Sequence, residues 1–81
     1  MDKITRGEQA KRILEDEVFL GAARDVATAI TDQWANEKCA KNREDLWNQQ
    51  RALTTLINNL TAAMQHGEMD KIQLTKRGMF G

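Results

Sequence analysis

Two side chains in this 81-residue chain could act as nucleophiles or soft metal ligands: one cysteine, Cys39, and one histidine, His66. A zinc centre takes about four nitrogen or sulfur ligands, so the pair falls short, and a lone cysteine makes no intrachain disulfide. Cys39 lies between Lys38 and Lys41. Nearby cations lower a thiol pKa and would give it modest reactivity, but an incidental exposed thiol is the simpler account. His66 precedes Gly67. At the end of a helix its imidazolium form is favoured by the helix dipole, and this structural role outweighs proton transfer by a histidine without a partner. Glu15, Asp16 and Glu17 are consecutive acids. They lack calcium-loop spacing and suit a helix start, where carboxylates meet the positive end of the dipole. No phosphate loop, nucleophile elbow or metalloprotease motif occurs. The expectation is a non-enzymatic chain with no catalytic residue, no cofactor and no metal.

Phosphate recognition is the second chemistry to weigh. Lys3, Arg6, Lys11 and Arg12 cluster near the start, and Lys71, Lys76 and Arg77 near the end. If both ends faced one side, these bases could contact a nucleic-acid backbone. An Asn- and Gln-rich helix with Arg51 could then read base edges. Against this, Asp2, Glu8, Glu68 and Asp70 interleave with the bases, and 12 acids balance 12 bases. Dedicated nucleic-acid or anionic-membrane binders usually carry a basic excess. Nucleic acid is therefore kept as a possible but not favoured partner. No apolar run approaches the roughly 18 residues of a membrane span, so no membrane association is expected. The N-terminal MDKITRGEQAKR leads into no signal-peptide core, and the free cysteine suits a reducing compartment.

These residues need elements to position them. Proline is absent and no alternating strand pattern occurs. The spacing predicts an all-α fold: an antiparallel helical hairpin of about 17–35 and 43–66, with a short N-terminal helix and an irregular C-terminal tail. Three regions follow: an arm over 1–15, a hairpin core over 16–67 and a docking tail over 68–81. Thr5 and Glu8 have capping-box spacing, and Ala10, Ile13 and Leu14 give the arm an apolar stripe. Asp16 is the expected N-cap of the second helix. Phe19, Ala23, Val26, Ile30 and Trp34 then share one face at four- and three-residue steps. A polar connection over 36–41 leads to Asn42 as the next N-cap, and Gly67 is the expected stop. Trp34 and Trp47 should lie near the same end of the hairpin. In the tail, Met69, Ile72, Leu74, Met79 and Phe80 are scattered among charges. They are apolar enough to dock on a surface.

The third helix is the most unusual segment. Leu46, Leu53 and Leu60 recur every seven residues, with Gln50, Ile57 and Met64 between them, which makes an apolar seam with one polar position. From Leu46 to Gly67 the only formally charged residue is Arg51. The other faces carry Asn, Gln and Thr where solvated helices usually carry Glu and Lys. One explanation is a solvent-facing surface of unusual composition. The other is an interface, because uncharged amides and hydroxyls cost far less to bury than charges. Trp47, Gln50, Arg51, Thr54, Thr55, Asn58, Asn59, Thr61 and Gln65 are the candidate contact residues. A single chain of this size is marginal alone, and oligomerisation is a common remedy.

Three stretches carry a resemblance: EDEVF at the second helix start, ITDQWAN at its end, and NREDLW opening a long helix that closes near Gly67. Over about Ile13 to Gly67 this layout resembles small helical proteins encoded among the virion and head-assembly genes of tailed bacteriophages. Related chains often have proline after the first tryptophan, where this one has Ala35. The resemblance implies a virion or assembly component in the phage particle and host cytoplasm. Its partners would be further copies of itself and other phage structural proteins. The alternatives are a DNA-binding packaging or regulatory factor, similar to a terminase small subunit, and an inhibitor of a host protein.

Overall fold

A computed structural model describes the backbone of residues 2–80 and the side chains of residues 2–75. Within them the chain is all-helical: α1 (Lys3–Glu15), α2 (Glu17–Asn36) and α3 (Ala40–Phe80). At 1.5 Å per residue α3 alone should run about 60 Å, and the longest dimension of the molecule is 63 Å.

Local chemistry sets the helix starts. Asp2 caps α1, its carboxylate accepting the Thr5 backbone N–H at 2.7 Å and the Thr5 hydroxyl at 3.0 Å. The expected Thr5–Glu8 capping box is thus displaced by one turn. Thr5 is the donor to a better cap, because a carboxylate accepts an orphan N–H more strongly than a hydroxyl. Those hydrogen bonds from Thr5, backbone first, hold the Asp2 carboxyl below its ordinary value of 3.8. Asp16 is the sole residue between α1 and α2. Its extended backbone breaks the helix, and its carboxylate accepts the Phe19 N–H at 2.8 Å to restart it. The next connection is shorter than the polar spacing suggests. Glu37 turns its carboxylate back onto the Cys39 N–H at 3.0 Å, and the Arg43 N–H reaches the Cys39 carbonyl at 3.0 Å. That local closure starts α3 at Ala40, so Asn42 lies inside the helix and is not its cap.

Gly67 does not end α3, and the segment after it is not irregular. No glycine has a positive φ among the described residues, so Gly67 serves by its size. It faces Gly7, and both are buried. A Cβ built on Gly67 would sit 2.7 Å from the Lys3 carbonyl oxygen and 2.9 Å from the Gly7 Cα. One built on Gly7 would sit 2.9 Å from the Ala63 oxygen and 2.9 Å from the Gly67 Cα. Only glycine at both positions admits this approach. With the stop removed, residues rich in Glu, Lys, Met, Gln and Leu carry the helix onward. The α1 face also shifts: Gly7 and Ala10 are buried, whereas Ile13 is 40% exposed.

Apolar burial is scant. Ala10, Ile30 and Leu46 are the buried hydrophobic side chains among the described residues, and no side chain there is fully enclosed. The radius of gyration is 18.0 Å, against about 12 Å for a compact domain of this length. The accessible surface is 6584 Å², about a third above the ~4,900 Å² expected of a compact monomer of this mass.

Substitution of the glycines separates size from helix propensity. Gly21 has nothing within 4 Å of an added Cβ, so Gly21→Ala should stabilise the chain by about 0.5–1 kcal/mol in urea unfolding. Gly67→Ala gains the same propensity yet meets backbone on two sides, so its midpoint should fall. Equal upward shifts for both would show that the helices do not meet there. Acid provides a second check on α1. A depressed carboxyl stabilises the fold above its unfolded pKa and loses that contribution as pH falls through the folded value. The Thr5 amide resonance should therefore titrate with a midpoint below 3.8, and Asp2→Asn should abolish that titration.

Candidate interaction face

Two helix ends meet where α2 hands over to α3. Ile30, Thr31 and Trp34 of α2 and Leu46, Trp47 and Gln50 of α3 line a largely apolar hollow of about 340 Å³ that is open to solvent on one side. Both tryptophans line it, as their spacing predicts. The Arg43 guanidinium lies over the Trp34 ring, 4.6 Å from its centroid. Such a stack is worth roughly 0.5–1 kcal/mol at an exposed site, and it pins the first turn of α3 to the last turn of α2. Nothing in the NREDLW string distinguished that arginine from a solvated base.

On the outer side of Trp47 is a second, more open groove, lined by Trp47, Gln50, Arg51, Thr54 and Thr55. It brings five of the predicted contact residues together. Trp47 is 54% exposed, which is a large apolar surface to leave in water. Beyond the groove the stripe continues. Trp47, Arg51, Thr54, Asn58, Thr61 and Gln65 alternate by four and three, so they form one face of α3. All but Thr61 are exposed. Thr61 is half-buried, and its hydroxyl donates to the Ile57 carbonyl at 2.9 Å, so it is already satisfied within the helix. Asn59 does not belong to this face. It lies in a notch at the α1 crossing with Lys3, Arg6 and His66.

Gln50 belongs to both hollows, and its side-chain oxygen is buried without a hydrogen-bond partner. An amide that is turned round merely exchanges an orphaned acceptor for an orphaned donor. An unsatisfied buried polar group costs about 1–3 kcal/mol.

Among the described residues the candidate bases fall in more than one place. Lys3 and Arg6 face the notch with His66, whereas Lys11 lies in a different recess, lined also by Met64 and Lys71. Lys71 approaches Glu8 at 4.0 Å, with both side chains mostly exposed. Arg12 is exposed, and the side chains of Lys76 and Arg77 lie outside the described residues. In the former tail, Met69, Ile72 and Leu74 are more than half exposed on helix α3. At 100° per residue Met69 and Ile72 prolong the Trp47–Gln65 face, while Leu74 points roughly the opposite way. The Met79 and Phe80 side chains also fall outside the described residues. Cys39 is exposed. Among the described residues no group of three or more His, Cys, Asp or Glu side chains is placed to hold a metal, and no helix is long and apolar enough to cross a membrane. Comparison with protein-family models, curated proteins and solved structures finds no match for the chain.

The orphaned amide makes a prediction about stability. Gln50→Leu removes the unsatisfied group and adds apolar contact with Ile30 and Trp34. The variant should unfold at higher urea, by about 1 kcal/mol or more. A lower midpoint would mean that the glutamine makes a hydrogen bond, directly or through water, that outweighs the apolar gain.

Proposed function

We propose that this chain is a non-enzymatic interaction protein that works as a homo-oligomer or in repeated copies. The observation that carries this reading is the poverty of its own core. Among the described residues, three buried apolar side chains are set against exposed Trp47, Leu56, Met69 and Ile72 on one helix and Val18, Leu20 and Val26 on another. Val18 is 81% exposed. Burying a side chain of this kind is worth roughly 1.5–3 kcal/mol, so association offers much that the isolated chain lacks. The stripe of α3, with Arg51 as its one formal charge, supports the same reading, since uncharged amides and hydroxyls cost less to bury than charges.

In this reading α2 and α3 form an antiparallel hairpin, with α1 laid against α3 at the glycine crossing. The phage setting, a virion or head-assembly component in the particle and host cytoplasm, rests on the sequence resemblance alone. Other phage structural proteins would be the remaining partners. The runner-up is a DNA-binding packaging factor, favoured by the Lys3, Arg6 and His66 notch. The separation of Lys11 from that notch counts against a single phosphate-binding track.

Light scattering of the full chain over a range of concentrations, with and without duplex DNA, tests the reading. The expected result is a mass of two or more copies that is unchanged by DNA. A monomer at every concentration overturns the proposal. Assembly that occurs only on DNA and is lost steeply with added salt favours the runner-up.

A further inference from the structure

The glycine crossing has two flanks, and they differ in charge. On one flank Glu8 and Glu68 share a recess with Lys11 and Lys71, so two acids offset two bases. Lys71 approaches Glu8 there at 4.0 Å. On the other flank is a notch of about 270 Å³ lined by Lys3, Arg6, Asn59, Ala62, Ala63 and His66. Among the described residues no acid lines it. Asp2 turns its carboxylate onto Thr5, at 2.7 and 3.0 Å, and Asp70 is not part of the lining. Lysine and arginine are donors only, and a histidine ring and an asparagine amide each carry at least one N–H. Every polar side chain around the notch can therefore donate. Among the described residues Lys3 and Arg6 have no ion-pair partner.

We infer that the notch is a binding site for one phosphate group, carried by a small phosphomonoester. The crossing builds it. Asn59, Ala62, Ala63 and His66 follow one another by three, one and three residues, which places them on one face of α3. Lys3 and Arg6, about one turn apart on α1, come over that face because Gly7 and Gly67 let the two helices approach to backbone contact. The alanines leave space between the longer side chains. Its 270 Å³ is several times the ~30 Å³ share of one water, room for a phosphate and part of what it is attached to. The Arg6 fork can hold two oxygens at once, and Lys3 adds a second positive charge. Asn59 and His66 can donate to the oxygens that remain. A monoester carries close to two negative charges at neutral pH, where a nucleic-acid phosphodiester carries one, so a pair of cations suits the monoester. Lys11 and Lys71 belong to the balanced flank, which leaves an isolated site and no track for a run of phosphates. The site stands independently of self-association.

Amide NMR shifts of the full chain, followed at constant ionic strength in chloride, test this with four probes: inorganic phosphate, ribose 5-phosphate, ribose and duplex DNA. Phosphate and ribose 5-phosphate should move the Lys3, Arg6, Asn59 and His66 resonances saturably, the ester at least as tightly, and leave Lys11 and Lys71 in place. Ribose should move none of them. Lys3→Gln and Arg6→Gln should each weaken binding by roughly threefold or more, while Lys11→Gln leaves it unchanged. All three side chains are exposed, so the variants should keep their helix content. Shifts that never saturate, or a Lys11→Gln loss equal to that of Arg6→Gln, would reduce the effect to general charge attraction and overturn the site. Phosphate binding without ribose 5-phosphate binding overturns the monoester as its ligand. Duplex DNA that moves both flanks together, with an affinity falling steeply in salt, overturns the single site in favour of a phosphate track.

Discussion

The approach of Gly7 to Gly67 determines where everything else in the molecule can sit. Two helices that meet through larger side chains keep their axes about 8–10 Å apart. Here an added Cβ on either side would lie within 3 Å of opposing backbone. The contact is made of Cα and carbonyl atoms and little else, so its strength comes from many weak dispersion contacts at short range. It also demands helical backbone on both partners. The same contact places Lys3 and Arg6 beside Asn59 and His66 on one flank and Glu8 near Lys71 on the other.

A glycine crossing aligns helices but excludes little apolar area, because glycine has almost none to hide. The molecule therefore combines firm local geometry with weak global burial. Its caps at Asp2 and Asp16, the Arg43–Trp34 stack and the Glu37 turn are each short-range devices. They specify where helices begin and how α2 passes to α3. They contribute about 1 kcal/mol apiece at most sites, whereas domain stability usually depends on a shared core. That imbalance is intelligible if the second half of the core is another molecule.

The sequence revealed the short-range devices unevenly. Asp16 was legible because an aspartate before an apolar stripe has one common use. The stripe from Phe19 to Trp34 was legible because helical periodicity reports burial, although Val26 is half exposed where no second layer covers it. Asp2 was hidden by Thr5, another cap-type residue three positions on. Gly67 was misleading for a deeper reason. Glycine is used both to turn the chain and to let a neighbour approach, and spacing within one helix cannot tell the two apart. The partner that decides between them, Gly7, is sixty positions away. The tail's helicity followed from that same choice. The neutral polar character that groups the candidate contact residues does not separate Asn59; helical spacing sets it off from the Trp47–Gln65 face, in the notch with Lys3, Arg6 and His66.

Uncharged polar surface has a physical meaning in such a molecule. A lysine- and glutamate-rich face would keep α3 dissolved and apart from its neighbours, since desolvating each charge costs several kcal/mol unless it is paired. A leucine-rich face would associate with almost anything. Asparagine, glutamine and threonine lie between these limits. Threonine can satisfy its hydroxyl within its own helix, as Thr61 does on Ile57, and then presents a methyl group outward. Amides are cheap to desolvate only when another amide or carbonyl is correctly placed, so they favour one geometry over many. A face of this composition, with Trp47 at one end and Ile72 at the other, would hold a contact to one geometry more firmly than a leucine-rich face would.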